Sequence, residues 1–113
     1  MNDRLIAICV PTFRRSELLR SCLIAIAKLQ APEKHNLNIV VADNDADKSA
    51  QSVCEAVSSN ATFPLYYCVE VERGLSSVRN RLLEEALKLN AALVAFIDDD
   101  EQPQRDWLPQ HIK

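Results

Sequence analysis

Apolar residues fall along this chain in two alternating patterns, short continuous runs and runs spaced by three or four. Leu5 to Val10 is unbroken and ends at Pro11, the pattern of a strand buried on both faces. From Ser16, a candidate N-cap, apolar positions recur at Leu19, Cys22, Leu23, Ile26 and Leu29 before Pro32, which is helical spacing. Leu37 to Ala42 predicts a second buried strand, and Lys48 to Val57 a second helix. Leu65 to Val71 predicts a third strand, rich in β-branched and aromatic residues. Ser77 to Leu89 places Val78, Leu82, Leu83, Ala86 and Leu87 on an apolar face opposite Arg79, Arg81, Glu84, Glu85 and Lys88, which predicts a third helix. Ala92 to Ile97 predicts a fourth strand, leading straight into Asp98-Asp99-Asp100-Glu101.

Strands alternating with helices imply parallel pairing through right-handed crossovers, hence an α/β sheet with helices on both faces. Ligands in such sheets bind beyond the carboxyl ends of the strands, at the switch point of the strand order. The polar residues follow that rule. Pro11-Thr12 follows strand one, Asp43 strand two, Arg73-Gly74 strand three, and the acidic triplet strand four. A strand order 3-2-1-4 brings these loops to one crevice.

Composition narrows what the crevice can hold. The 113 residues are 48% hydrophobic and 26% charged, an ordinary globular content for a single domain. A net charge of −3 and the lack of any Lys/Arg block argue against duplex DNA or an acidic membrane surface as partner, so a bound phosphate needs a local cation. Gly74 is the only glycine, which removes both the G-x-G-x-x-G dinucleotide loop and the Walker A cradle. Cys9, Cys22, Cys54 and Cys68 are widely spaced and form no zinc set with His35 and His111. They read as buried reduced thiols, pointing to a reducing cytoplasm, or to the cytoplasmic face of a membrane for a longer enzyme.

Side-chain alternation along an extended strand end puts Asp98 and Asp100 on one side and Asp99 on the other. Carboxylates about 5 Å apart repel by roughly 3 kcal/mol at an effective dielectric near 20, so the crowding favours a cation there. Mg²⁺ or Mn²⁺ would relieve it and bridge to a diphosphate. A solvated acidic loop is the plainer alternative. Asp43 has two readings as well, a turn or helix-capping residue, or an acceptor for the imide N–H of a uracil or thymine ring. Thr12 and the Pro11 turn offer backbone contacts to such a ring. Arg79 either faces phosphate from the start of the third helix or is simply solvated.

Taken together, Cys9-Val10-Pro11-Thr12-Phe13-Arg14-Arg15, Val40-Val41-Ala42-Asp43-Asn44-Asp45, Arg73-Gly74-Leu75-Ser76-Ser77-Val78-Arg79-Asn80 and Phe96-Ile97-Asp98-Asp99-Asp100-Glu101 resemble, in order and spacing, the blocks of family-two glycosyltransferases. The resemblance implies a GT-A fold, its Rossmann-like nucleotide-binding half, and inverting transfer from a nucleoside diphosphate sugar, UDP-linked by preference, to a sugar, lipid or glycan acceptor. It also implies Pro11, Thr12 and Asp43 at the base, Asp98 or Asp99 at the ribose, and Asp98 with Asp100 on Mn²⁺ or Mg²⁺. After strand two the usual D-N-G-S gives way to Asp43-Asn44-Asp45-Ala46-Asp47. Inverting transfer needs a general base, which the family places well beyond the acidic block, so residues 1–113 are expected to be a partial domain that carries the donor site.

Two other folds carry acids after buried strands. A haloacid-dehalogenase-like phosphotransferase has D-x-D-x-T, but here Gln102 holds the Thr position and the block follows strand four. A phospho-acceptor receiver module has its acid pair after strand one, where Pro11-Thr12 stands. Strand four is apolar on both faces and lacks an edge-protecting lysine or proline, so self-association through it is expected.

Overall fold

The computed structural model describes residues 4–108. Their elements run β1 (Leu5–Thr12), α1 (Ser16–Ala27), β2 (Asn36–Asp43), α2 (Gln51–Ser58), β3 (Leu65–Val69), α3 (Leu75–Lys88) and β4 (Leu93–Phe96). The strands form a single parallel sheet, as the alternation predicts, and their order is the expected β3-β2-β1-β4. Parallel register brings every strand's carboxyl end to the same edge, with Thr12 level with Asp43, Asp43 with Val69, and Cys9 with Phe96.

The pleat divides the core into two unequal parts. Ile6, Ile8 and Val10 of β1 and Leu37, Ile39 and Val41 of β2 face α1 and α2, where Leu19, Leu23, Ile26, Val53 and Val57 complete a large aliphatic cluster. Alternate positions Ala7, Cys9, Val40 and Ala42 face α3 and meet Val78, Leu82 and Ala86. Small side chains on that second face let α3 lie close to the sheet. Trp107 and Leu108 are helical and pack on the first cluster, with Leu108 buried.

Several boundaries differ from the sequence pattern for local reasons. β1 continues through Pro11 to Thr12 rather than stopping at Val10. The Cys9 carbonyl accepts from Ile97 on the β4 side and the Thr12 carbonyl accepts from Asn44 on the β2 side. Pro11 has the parity of Cys9, so its missing N–H faces the β4 side, where pairing has already ended at Cys9, and no ladder bond is lost. Ser16 is the first helical residue of α1 and not its N-cap, because its hydroxyl donates to the Ser49 carbonyl at 2.9 Å. α2 starts three residues later than Lys48, which sits at φ 59 and cannot be helical. β4 is short, yet Ala92 N–H to Leu5 and Ile97 N–H to Cys9 extend its ladder at both ends.

All four cysteines are free; Cys9, Cys22 and Cys54 are buried and Cys68 is half-buried. Burial pushes the thiols of Cys9, Cys22 and Cys54 up to about 12. His35 Nδ1 donates to the Glu33 carbonyl at 2.9 Å, while His111 lies outside the described residues. No helix among the described residues is long and apolar enough to cross a membrane.

Candidate functional site

The ends of β1 and β4 open into a cleft of about 330 Å³, within the range of small-molecule sites. Pro11 and Thr12 form its floor, the Phe13 to Arg15 turn one side, Gly74, Leu75 and Val78 at the start of α3 another, and the acidic triplet the rim.

The triplet does not continue β4 as an extended strand. The chain leaves the ladder after Phe96 and turns, with the Glu101 N–H donating to the Asp98 carbonyl at 3.0 Å and the Glu101 carboxylate accepting the Asp98 N–H at 2.8 Å. A turn therefore produces the split that strand alternation predicts. Asp98 and Asp100 are exposed to the cleft, while Asp99 is only 6% exposed and points inward. One Asp99 oxygen accepts the Thr12 hydroxyl at 2.9 Å, and the other accepts Arg15 Nη1 at 3.3 Å. Arg15 Nη1 also lies 4.0 Å from Asp100. The repulsion expected among these acids is relieved by a side-chain cation of the protein itself. Cys22 sits behind the turn, its thiol directed at the Asp98 carbonyl, and burial first and then the neighbouring acids, Asp99 foremost, raise it.

Asp43 is fully buried and does not line the cleft. Its carboxylate accepts the Asp45 N–H at 3.0 Å, the Ala50 N–H at 2.9 Å and the Tyr67 hydroxyl at 2.7 Å. Those bonds give Asp43 a turn-and-cap role, tying the β2–α2 turn to β3, and take up three of the roughly four lone-pair sites of its carboxylate. The Tyr67 phenol is pushed above its ordinary range, by burial and then by this carboxylate. Arg79 is also away from the cleft lining; its guanidinium lies 5.6 Å from the Phe96 ring centre, over the β4 edge.

Residues to which the sequence assigned no specific contact complete the cleft and its surroundings. Asn44 uses its whole amide: Nδ2 donates to the Glu70 and Glu72 carbonyls at 2.7 and 2.9 Å, and Oδ1 accepts the Gly74 N–H at 3.1 Å. It thereby ties the β3–α3 loop to the end of β2. The loop in turn carries Arg73, whose guanidinium stacks 3.6 Å from the Phe13 ring centre. Arg14, at a left-handed φ of 51, sends its side chain to Asp45 and Asp47, whereas Arg15 reaches the acidic turn. Asp45 settles the shape of the departure from D-N-G-S. Its carboxylate accepts the Asp47 N–H at 3.0 Å, and that bond, with Arg14 beside it, holds the group below the usual carboxylate range. A local signal for Asn44 existed, an Asn directly after a strand end; its partners do not appear in the local pattern.

Among the described residues no group of three or more His, Cys, Asp or Glu side chains is placed to hold a metal ion. The donor set fits a hard divalent cation in a narrower way. Mg²⁺ keeps several waters and commonly uses one or two carboxylates plus substrate phosphates, which matches two exposed carboxylates on a cleft rim.

A parallel sheet in this order, with a cleft and an acidic turn at its carboxyl edge, is consistent with the GT-A fold that the sequence blocks led us to expect. The sequence matches the model of the family described as glycosyl transferase family 2 over residues 7–113, and the chain belongs to that family. It is 36% identical over 108 residues to the succinoglycan biosynthesis protein ExoM of Rhizobium meliloti (strain 1021), a match covering 96% of this chain and 34% of that protein. Among solved structures, S. aureus TarS 1-349 in complex with UDP superposes with a TM-score of 0.78 at 21% identity, over 94% of this chain and 30% of that one. The mannosyltransferase PcManGT from Pyrobaculum calidifontis, in complex with GDP-Man and Mn²⁺, superposes at 0.65 with 24% identity, over 84% of this chain and 27% of that one. At these identities the structural likenesses bear on the fold. The chain spans about a third of the length of ExoM.

Proposed function

We propose that this chain is the donor-binding portion of a glycosyltransferase that takes a nucleoside diphosphate sugar, UDP-linked, and transfers the sugar with inversion to a sugar, lipid or glycan acceptor. The observation that carries the reading is the acidic turn on the cleft rim, with Asp98 and Asp100 exposed beside the Pro11-Thr12 floor, in a member of this family. The base lies against Pro11 and Thr12. Asp98 and Asp100 hold Mn²⁺ or Mg²⁺, which on binding neutralises the diphosphate and makes it a better leaving group. Asp99 positions the turn from beneath through Thr12. The name of the succinoglycan relative favours a saccharide acceptor. The general base belongs to the part of the relatives' length that this chain does not span, and the free thiols favour a cytoplasmic setting.

Calorimetry of the 113-residue chain tests the reading. UDP is expected to bind with Mn²⁺ present and far more weakly with chelator, and Asp100→Ala should abolish the difference. Equal affinity with and without metal, or an Asp100→Ala variant that binds like the parent, would overturn the role of the rim carboxylates. Multiple turnovers by this chain alone, in a screen of nucleotide sugars and acceptors, would overturn the placement of the general base.

A further inference from the structure

A diphosphate entering this cleft meets three carboxylates, so the cations around it decide whether it can stay. Arg14 is committed to Asp45 and Asp47, Arg79 is over Phe96, and Arg73, which also lines the cleft, is stacked 3.6 Å from the Phe13 ring centre. Arg15 is different. Its side chain is 54% exposed, it lines the cleft, and the only side-chain hydrogen bond it makes among the described residues runs from Nη1 to Asp99 at 3.3 Å. Asp99 is a fixed seat, because it is buried and its other oxygen is held by Thr12 at 2.9 Å. The contact to half-exposed Asp100, at 4.0 Å, is by comparison loose. A guanidinium presents five N–H donors in a planar fork, so one bond to Asp99 leaves a second edge of the group for an anion.

The geometry points to Arg15 as a direct ligand of the diphosphate, seated on Asp99 and donating to a phosphate oxygen from the edge that does not face it. This rests on the reading of the cleft as a nucleoside diphosphate site and adds a contact that reading does not contain. It gives Asp99 a task of its own, orienting Arg15, and leaves Asp98 and Asp100 to the cation. The competing role is a tack, in which Arg15 merely fastens the acidic turn to the start of α1.

Phosphate dependence separates the two. With Mn²⁺ present, UDP, uridine and inorganic pyrophosphate are titrated into the 113-residue chain and into Arg15→Ala and Arg15→Lys, each checked for folding by circular dichroism. Loss of one charge-assisted hydrogen bond should weaken UDP and pyrophosphate by about 10- to 100-fold in Arg15→Ala and leave uridine nearly unchanged. Arg15→Lys keeps a charge on Asp99 without the fork and should fall between, which decides the matter even if the alanine variant does not fold. A UDP-to-uridine affinity ratio equal in parent and variants, as a tack would give, overturns the assignment. Pyrophosphate bound in an Arg15-dependent way by a protein that ignores UDP would sustain the ligand and sink the nucleotide reading. A parent chain that binds neither probe sinks both.

Discussion

Replacing Asp43 by alanine removes, in one step, the acceptor for the Asp45 N–H, the Ala50 N–H and the Tyr67 hydroxyl. The site is fully buried, so water does not replace the lost oxygens without cost. A buried donor left unpaired costs about 1–3 kcal/mol, and neighbouring losses are less than additive, so Asp43→Ala should lose about 3–5 kcal/mol. That is a large share of the ~6–15 kcal/mol expected for a domain of this size. Urea unfolding followed by far-UV circular dichroism should show the midpoint falling by about 2 M at a slope near 2 kcal/mol/M. Tyr67→Phe alone should cost about 1 kcal/mol, and almost nothing in the Asp43→Ala background, the signature of a shared bond. A shift under about 0.5 M, at that slope, together with loss of preference for UDP over ADP would refute this account and return Asp43 to the base.

Gly74 sits at φ 127 and ψ 150, a conformation closed to side chains, with nothing within 4 Å of where a Cβ would stand. Gly74→Ala should therefore cost about 1–3 kcal/mol through backbone strain rather than a clash, and an unchanged urea midpoint would refute that. The thiols of Cys9, Cys22 and Cys54 rise from 9.0 to about 12 on folding, through burial. Below pH 9 they are protonated in both states; between about 9 and 12 the unfolded thiols ionise first, so stability should fall across that window. A flat stability profile up to pH 11 would count against their burial. Leu93, Val94 and Phe96 are exposed on β4, whose outer edge has no partner strand among the described residues. Sedimentation should show concentration-dependent association that Val94→Lys reduces, and a monomer at every concentration would reject pairing through this edge.

The interior place of β1 and β2 was legible because both carry consecutive apolar positions, the pattern of a strand buried on both faces. The position of the cleft followed from the expected strand order. Side-chain assignments within it were less accessible. Asp43 bonds to Tyr67 across 24 positions, Asn44 to Gly74 across 30 and Arg15 to Asp99 across 84, and no local pattern encodes such pairings. Ser16 shows the same limit on a smaller scale: its composition suits a cap, but a carbonyl 33 residues away claims the hydroxyl. Lys48 misled for the opposite reason, since its left-handed backbone arises from the Asp45 turn rather than from any preference of lysine.

The small side chains beneath α3 have a further consequence. Val78 is both a contact of that thin second core and a wall of the cleft, and Leu75 stands one turn before it. The distance between α3 and the sheet is thus also the aperture of the site. Ala7 and Ala42 act as the shims of a calliper: one added methylene at either would be felt in the opening, although neither lines the cleft. Ligand preference in this fold can therefore drift through substitutions that an inspection of the site's own residues would pass over.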